Sequence, residues 1–278
     1  MGANNKIGLG TVQFGMDYGV SNTKGKTPDI EVSKILEYAK KEGLLYIDTA
    51  EAYGCSEEVL GRNDLSGFRI ISKFLPQNNQ SSIRDSLAKS LKNLQQNNLY
   101  GYLAHRPKTV LENPKQWDEL IRTKEQGKVK KIGFSLNEPK ELTMLLEKKM
   151  IPDIVQVPYN FLDNRFRETL IELKDLGCEI HSRSSFLQGI FFMKKESLSE
   201  YFNEIKPTIE SLQQEHKEKL SGALLKFVLD LSFIDVVIMG VESVDQLKQN
   251  IQSIKRAKQI TLPQPQVSDK ILMPSFWP

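Results

Sequence analysis

The chain has few of the side chains on which disulfide-stabilised and metal-binding proteins depend. It has two cysteines, Cys55 and Cys178, which lie far apart in sequence, and three histidines, His105, His181 and His216. Neither the cysteine spacing nor any clustered pair of histidine and carboxylate is typical of a metal site or a disulfide framework. We therefore expect no bound metal, a reducing cytoplasmic location, and no metal-dependent hydrolase activity.

Long apolar runs and a large excess of one charge are also missing. No stretch of eighteen apolar residues occurs, and the first residues lack the apolar core of a signal peptide. The net charge is +3, from 38 Lys and Arg against 35 Asp and Glu. Because this charge is small and both signs are interspersed, we expect neither nucleic acid nor a membrane as a partner.

Short apolar runs alternate with amphipathic segments along most of the chain. Eight runs are predicted strands: Ile7–Thr11, Leu45–Thr49, Arg69–Lys73, Gly101–Ala104, Lys131–Phe134, Ile154–Val157, Glu179–Ser182 and Val236–Met239. Eight segments are predicted helices: Ile30–Lys41, Glu57–Gly61, Ile83–Leu94, Trp117–Gln126, Pro139–Lys148, Arg165–Leu176, Gly222–Leu231 and Val244–Lys258.

Eight strands that alternate with helices predict an α/β fold of the (β/α)8, or TIM barrel, type. A doubly wound sheet is the alternative, but Gly8-Leu9-Gly10 lacks the third glycine of a phosphate-binding loop. With no repeat or linker in the sequence, we expect residues 1–278 to form one domain.

Four polar residues lie where predicted barrel strands end. Asp48 ends one apolar run, Tyr53 follows it by five residues, and Lys73 and His105 end the next two runs. Barrel enzymes place their reactive side chains at this face. Each residue alone also has an ordinary explanation, as a turn cap, a half-buried aromatic, an exposed lysine or a core histidine. One shared site explains the positions of all four residues better than four separate coincidences at related strand ends.

These residue types suit the reduction of a carbonyl group. Hydride addition leaves negative charge on oxygen, so a proton donor must lie beside it. Tyrosine is a weak acid with an ordinary pKa near ~10, which a nearby ammonium lowers by stabilising the phenolate. Lys73 can supply that ammonium, and Asp48 can hold it by a charge-assisted hydrogen bond. A neutral His105 can orient the carbonyl.

Six segments carry a resemblance to known proteins: Gly8–Gly15, Ile47–Gly54, Ser72-Lys73, His105-Arg106-Pro107, Ile132–Ser135 and Val155–Asn160. They are similar to the motifs of the aldo/keto reductases, and the chain resembles that family from about Ile7 to Asn250. The resemblance implies a (β/α)8 barrel that reduces an aldehyde or ketone with a nicotinamide cofactor. It also implies that Tyr53 is the general acid, that Lys73 and Asp48 tune it, and that His105 orients the carbonyl.

The resemblance extends to cofactor residues, with departures. Ser135 and Gln156 match positions that hold the nicotinamide amide, although Leu136 replaces the usual asparagine and Asn137 is displaced by one. Arg183 falls where relatives stack a tyrosine on the nicotinamide, and a planar guanidinium can do the same. Alternatively, Arg183 is a buried ion-pair partner. The residues expected to approach the pyrophosphate are Ser184, Phe186 and Gln188.

The adenine end departs further from the family pattern. Gly240 and Gln246 replace a frequent lysine and arginine that grip a 2′-phosphate, and Glu242 adds a negative charge. Asn250 matches an adenine contact. The strand-end glycine and the following helix N-terminus still form an anion site. We expect NADPH narrowly over NADH because the family favours it.

The substrate is expected to be a small polar carbonyl compound such as a sugar or sugar derivative. Residues expected to face the pocket are Gln13, Asp17, Tyr18, Glu51, Arg106 and Tyr159. In the proline-rich segment 260–278, we expect Phe276 and Trp277 to help form the substrate wall. The alternative function is a cofactor-sensing regulatory subunit with slow turnover. The protein is expected to be a monomer or a small homo-oligomer.

Overall fold

A computed structural model describes residues 3–76 and 82–278. Its eight strands form a closed parallel barrel in chain order. The strands are β1 Ile7–Gly10, β2 Tyr46–Asp48, β3 Arg69–Phe74, β4 Leu99–Ala104, β5 Val129–Ser135, β6 Ile154–Pro158, β7 Glu179–Arg183 and β8 Val236–Gly240. The predicted (β/α)8 fold is confirmed, and all eight predicted strands are present.

Helices connect the strands around the barrel. Within the described residues they are α1 Val12–Gly15, α2 Asp29–Lys41, α3 Ser56–Gly61, α4 Ile83–Leu94, α5 Lys108–Glu112, α6 Lys115–Glu125, α7 Pro139–Glu147, α8 Arg167–Asp175, α9 Lys206–His216, α10 Leu220–Leu229, α11 Val244–Arg256 and α12 Asp269–Leu272. The eight predicted helices correspond to α2, α3, α4, α6, α7, α8, α10 and α11. The short α1, α5 and α12 were not predicted, nor was α9.

Local side chains explain where several helices begin. Ser82 accepts a hydrogen bond from the backbone N–H of Asp85 and completes a capping box at the start of α4. Ser243 caps α11 by accepting from the backbone N–H of Gln246. In both helices the apolar residues then recur with helical spacing and pack against the barrel.

The two-residue period of the strands decides which side chains point into the barrel. A cluster inside it consists of Tyr46, Ile71, Leu103, Ile154, Val236 and Ile238. Glycines on β1 leave room for this cluster, since a Cβ on Gly8 would lie 2.7 Å from Ile238 Cδ1. Two residues beyond members of the cluster, toward the carboxyl ends of the strands, come Asp48, Lys73, His105, Gln156 and Gly240.

A polar cluster closes the opposite, amino-terminal end of the barrel around Glu179 on β7. Its carboxylate accepts from the hydroxyl of Tyr100 at 2.6 Å, contacts His181 Nε2 at 2.7 Å, and pairs with Lys131 Nζ at 2.8 Å. Burial alone would raise the pKa of Glu179, but these three partners hold it at about 2. The cluster therefore stabilises the folded barrel through an ionised, largely buried carboxylate.

A second apolar cluster lies beside the barrel and joins the long segment after β7 to the end of the chain. Short 3-10 turns run from Leu187 to Phe202 before α9 begins. Phe191, Phe202 and Leu212 from this region pack with Ile271 and Leu272 of α12. The long connection is therefore an ordered element with its own core, and it anchors residues near the end of the chain.

The Glu179 cluster predicts acid sensitivity. Because the folded-state pKa lies below the unfolded value, the stabilisation is complete above the unfolded pKa and is lost as the pH falls toward about 2. At pH 3.5 the wild-type chain should have lost about 1.4 kcal/mol of unfolding free energy from this group. Urea unfolding of wild type and Glu179→Gln at pH 7 and pH 3.5 measures this.

Glu179→Gln should be less stable at pH 7 and should lose less stability than wild type on acidification. Glu172→Gln, on the exposed face of α8, is the matched control and should behave as wild type. An equal loss on acidification in Glu179→Gln and wild type would contradict this account.

Candidate active site

A buried ion pair lies where β2 and β3 end. Lys73 Nζ donates to both carboxylate oxygens of Asp48 at 2.8 Å and to the carbonyl oxygen of Thr49 at 2.9 Å. The side chains of Lys73 and Asp48 are 0% and 4% exposed. Burial alone would lower the pKa of Lys73, but the Asp48 carboxylate and the Tyr53 oxygen hold it above its ordinary value. The lysine is therefore an ammonium inside the barrel.

The hydroxyl of Tyr53 meets this ammonium from the loop after β2. Lys73 Nζ donates to the Tyr53 hydroxyl oxygen at 3.3 Å and lies 4.9 Å from the centre of the ring. The loop turns sharply at Gly54, where φ is +56° and a Cβ would lie 2.4 Å from the carbonyl oxygen of Gly15. A glycine is needed here because both the left-handed backbone and the close approach exclude a side chain.

Three buried hydroxyl groups hold the same loop against β1. Ser56 Oγ donates toward the carbonyl oxygen and Oγ1 of Thr11, both at 2.9 Å, and lies 3.1 Å from Thr49 Oγ1. Thr11 Oγ1 in turn donates to the carbonyl oxygen of Asp48 at 2.9 Å. This network fixes both ends of the segment that carries Tyr53.

His105 follows β4 and faces Tyr53. The two rings meet edge to face, with centroids 5.8 Å apart and planes at 83°. Burial lowers the pKa of His105 to about 3, and the positive charges of Lys73, Arg183 and Arg106 act in the same direction. The imidazole is therefore neutral at neutral pH.

Gln156 on β6 adds a further contact to the buried pair. Its Nε2 donates to Asp48 Oδ1 at 2.6 Å, while its Oε1 is buried without a hydrogen-bond partner in the described part of the chain. Ser135, at the end of β5, lines the adjoining cavity. An unsatisfied buried acceptor beside a cavity is suited to a ligand that brings an N–H donor.

Arg183 ends β7 and extends across to the end of β5. Its Nη2 donates to the carbonyl oxygen of Leu136 at 3.0 Å and to Asn137 Oδ1 at 2.6 Å. Its Nη1 donates to Ser184 Oγ at 3.3 Å. Among the described residues no carboxylate lies within ion-pair distance of Arg183, so the alternative of a buried ion pair is not supported.

The backbone after Arg183 is strained. Ser184, Leu187 and Gln188 have φ values of +64°, +45° and +52°. Residues other than glycine adopt such values only at a cost in free energy. Asn160 Nδ2 donates to the carbonyl oxygen of Ser184 at 3.0 Å. The backbone N–H of Ser21 donates to the carbonyl oxygen of Gln188 at 3.4 Å. These contacts hold the strained segment at the edge of the cavity.

The segment after β8 carries an acidic residue, Glu242, at the cavity. The backbone N–H of Glu242 donates to Gln246 Oε1 at 2.7 Å. Burial raises the pKa of Glu242, although the positive charge of Lys24 acts in the opposite direction. Asn250 is buried, and its Nδ2 lies 3.3 Å from Met239 Sδ. Its side chain therefore contacts the core, and this position does not support the expected adenine contact.

A cavity of about 570 Å³ joins these strand ends. The sequence-predicted residues that line it are Asp48, Tyr53, His105, Ser135, Arg183, Ser184, Phe186, Gln188, Gly240, Glu242 and Gln246. Lys73 and Gln156 are fully buried against Asp48 and so lie behind the lining. Polar groups from seven of the eight strand ends are thus brought together at one opening.

Other predicted pocket residues divide into two groups. Gln13, Tyr18 and Arg106 line the cavity. The prediction for Tyr159 was wrong, because its side chain is buried in the core, edge to face with Phe233. Glu51 instead accepts from the backbone N–H of Leu75 at 3.3 Å.

Asp17 is exposed and does not line the cavity. The end of the chain does reach the cavity, but not through its aromatic residues. Leu272, Met273, Pro274 and Ser275 line it. In contrast, Phe276 is exposed, and Trp277 packs edge to face on Phe202 and donates to the carbonyl oxygen of Ile271. The expected aromatic wall is therefore wrong in its residues, because Phe276 is exposed and Trp277 turns toward the second apolar cluster.

Two cavity residues were not singled out as site residues from the sequence. Ser21 lies in the connection before α2, and Asn160 lies beyond β6. Asn160 ends the motif segment Val155–Asn160, and that position was the available signal. No local pattern marks Ser21, because only the fold brings its loop against Gln188.

Within residues 3–76 and 82–278, no group of three or more His, Cys, Asp or Glu side chains could hold a metal ion. No helix in the same ranges is both long and apolar enough to cross a membrane.

Known proteins with similar sequences and structures include oxidoreductases. Probable aldo-keto reductase 1 of Glycine max is 25% identical over 256 residues, covering 79% of this chain and 73% of that protein. Uncharacterized oxidoreductase YqkF of Bacillus subtilis (strain 168) is 22% identical over 277 residues, covering 89% of this chain and 86% of that protein.

Among solved structures, the holo form of aldo-keto reductase AKR11C1 from Bacillus halodurans has the same fold. Its TM-score is 0.72 at 20% identity, over 92% of this chain and 88% of that chain. The sequence profile described as the Aldo/keto reductase family matches residues 6–264. This match spans the whole barrel and every strand end described above. The chain therefore belongs to the aldo/keto reductase family, whose members are oxidoreductases that use nicotinamide cofactors.

Proposed function

We propose that this chain reduces an aldehyde or ketone to an alcohol with NAD(P)H, and that Tyr53 is its general acid. The contact between the buried Lys73 ammonium and the Tyr53 hydroxyl is the observation that carries the proposal. The buried Asp48 carboxylate holds that ammonium in place, and the cavity brings a substrate to the same hydroxyl. The cofactor-sensing alternative is not favoured, because all four proposed catalytic groups lie in contact.

The residues divide the proton chemistry between them. The cofactor supplies a hydride to the carbonyl carbon when it is bound. Tyr53 donates its hydroxyl proton to the carbonyl oxygen, where negative charge develops. Lys73 stabilises the resulting phenolate by charge and hydrogen bond, and Asp48 keeps Lys73 oriented. Neutral His105 orients the carbonyl by a hydrogen bond and does not carry the proton.

The cavity residues fit a nicotinamide dinucleotide. The unsatisfied Oε1 of Gln156 suits the N–H donors of the nicotinamide amide, and Ser135 adjoins it. Arg183 would lie against the nicotinamide ring, since its guanidinium is fixed across the cavity by Leu136 and Asn137. The remaining proposed contacts are Ser184, Phe186 and Gln188 toward the pyrophosphate and Gly240, Glu242 and Gln246 toward the adenosine.

NADPH is the proposed cofactor, with NADH as the alternative. The Lys24 ammonium is close enough to act electrostatically on Glu242 and is a candidate partner for a 2′-phosphate. The Glu242 carboxylate itself would instead accept from a ribose 2′-hydroxyl, as NADH would offer. The preference for NADPH or NADH depends on whether the Lys24 ammonium or the Glu242 carboxylate acts more strongly on the ribose 2′ position.

We also propose that residues 1–278 form one domain and that the protein works in the cytoplasm. Both cysteines are free, and Cys178 is buried. Free cysteines are compatible with a reducing compartment. The polar side chains of Gln13 and Tyr18 on the cavity wall support a small polar carbonyl compound such as a sugar derivative as substrate.

Replacing Tyr53 by Phe tests the general acid. The change removes the proton donor but keeps the ring, so kcat for carbonyl reduction should fall at least about 100-fold. The measurement is oxidation of NADPH and NADH with a panel of aldehydes and sugars. Tyr38→Phe, on α2 outside the cavity, is the matched control and should retain wild-type kcat. Wild-type turnover by Tyr53→Phe would remove Tyr53 from the mechanism.

The pH profile tests the state of His105. Since burial lowers its pKa to about 3, the imidazole stays neutral at every pH where the enzyme is assayed. The kcat/KM profile between pH 5 and 9 should therefore show no limb near pH 6.5, where an ordinary histidine titrates. A limb there that disappears in His105→Gln would contradict this assignment.

Replacing Glu242 by Gln tests cofactor choice. Removing a negative charge near a 2′-phosphate should raise the ratio of kcat/KM for NADPH to that for NADH by about tenfold, from a Coulomb energy of about 1.4 kcal/mol. Asp245→Asn is the control, because this exposed carboxylate pairs with Lys248 on α11. An unchanged ratio in Glu242→Gln would mean that this carboxylate does not face the adenosine ribose.

A further inference from the structure

Arg106 is a charged residue in the cavity wall that the proposed proton chemistry does not use. It directly follows His105 at the end of β4, lines the cavity, and is exposed. Within residues 3–76 and 82–278, its guanidinium makes no ion pair or side-chain hydrogen bond. The segment 77–81 has the sequence Gln-Asn-Asn-Gln-Ser and contains no carboxylate either. Among the described residues, therefore, no group accepts from the five donors of the Arg106 guanidinium.

The charges around His105 are unbalanced. Lys73, Arg106 and Arg183 all act on the imidazole as positive charges. Lys73 is neutralised by Asp48, whereas Arg183 donates to the uncharged acceptors Leu136 O, Asn137 Oδ1 and Ser184 Oγ. Two positive charges thus remain beside the position of the carbonyl group.

Acidic residues on the neighbouring cavity wall do not offset them, because they are already engaged. Asp163 forms a largely buried pair with Arg165. Glu138 pairs with Lys140 at 2.5 Å. Glu141 accepts from the backbone N–H groups of Asn137 and Glu138 in the first turn of α7, where the positive end of the helix dipole offsets part of its charge. The remaining acid of the lining, Glu242, lies at the end of β8. The β4 side of the cavity is therefore positive.

We propose that Arg106 binds an anionic group, a carboxylate or a phosphate, on the carbonyl substrate. This inference rests on the proposed function and narrows its substrate class from polar to negatively charged carbonyl compounds. A guanidinium can hold either group through two parallel hydrogen bonds. Its place next to His105 sets the anionic group close to the carbonyl. A positive wall would also attract such a substrate into the cavity.

Matched substrate pairs test the proposal. D-glyceraldehyde 3-phosphate is compared with D-glyceraldehyde, and glyoxylate with glycolaldehyde, so that each pair differs in one anionic group. In wild type, kcat/KM should be at least about tenfold higher for one anionic member than for its neutral partner, and the ratio should fall as ionic strength rises. The pair with the larger ratio identifies phosphate or carboxylate.

Arg106→Gln should lower that ratio about tenfold, and Arg106→Lys should restore part of it because the charge returns. Lys108→Gln is the matched control, since Lys108 is 82% exposed, pairs with Glu112 and is absent from the lining. A general structural defect would lower both members of a pair together and leave the ratio unchanged. A ratio near one in wild type, or a ratio insensitive to Arg106→Gln, overturns the proposal.

A binding measurement separates this proposal from the proposed function. Glycerol 3-phosphate, glycerate and glycerol are titrated calorimetrically into the full chain and into Arg106→Gln. Binding of either anion but not of glycerol, weakened at least about fivefold by the substitution, supports the anion site even without turnover of any aldehyde. Turnover without charge preference overturns the anion site and leaves the reductase. If the chain shows no turnover and no charge-dependent binding, both the anion site and the reductase function are overturned.

Discussion

The buried pair of Lys73 and Asp48 is the interaction on which the site depends. An ammonium with no exposed surface is costly unless its charge and its donors are matched. Here both carboxylate oxygens and the carbonyl of Thr49 accept from it, and Gln156 donates to the same carboxylate. Such a pair holds one geometry, so the hydroxyl of Tyr53 meets a fixed positive charge.

The stabilising side chains and the proposed reactive side chains lie at opposite ends of the barrel. At the amino-terminal end, Glu179 binds a tyrosine, a histidine and a lysine in one polar cluster. At the carboxyl-terminal end, the strands stop at polar side chains around a cavity. Between the two lies an apolar layer that includes Ile71, Leu103 and Ile154. The polar groups at the two ends can therefore serve separate roles.

The cavity is also polarised along its length. Arg106 and Arg183 leave positive charge beside His105, whereas Glu242 places a carboxylate at the end of β8. The nicotinamide end of a dinucleotide and an anionic carbonyl compound would both meet the positive side, whereas the adenosine end would meet the Glu242 carboxylate. The strained segment from Ser184 to Gln188 lies between these regions, where backbone strain is often associated with ligand contact.

The sequence by itself determined the barrel and the four proposed catalytic residues. Strand alternation is local, and it places Asp48, Lys73 and His105 two residues beyond apolar side chains that point inward. For this reason the strand ends could be predicted without knowing the contacts between strands. The motif around Tyr53 was recognisable because its loop residues are contiguous.

Only the tertiary structure decided contacts between distant segments. The hydrogen bond from Gln156 to Asp48 spans 108 residues of sequence, and the contact of Ser21 with Gln188 spans 167. Tyr159 was expected to face the pocket because it lies within a motif segment, yet its ring packs into the core. Trp277 packs against a second apolar cluster, which no local sequence pattern predicts. Packing between remote elements sets these directions, and side-chain type alone does not encode them.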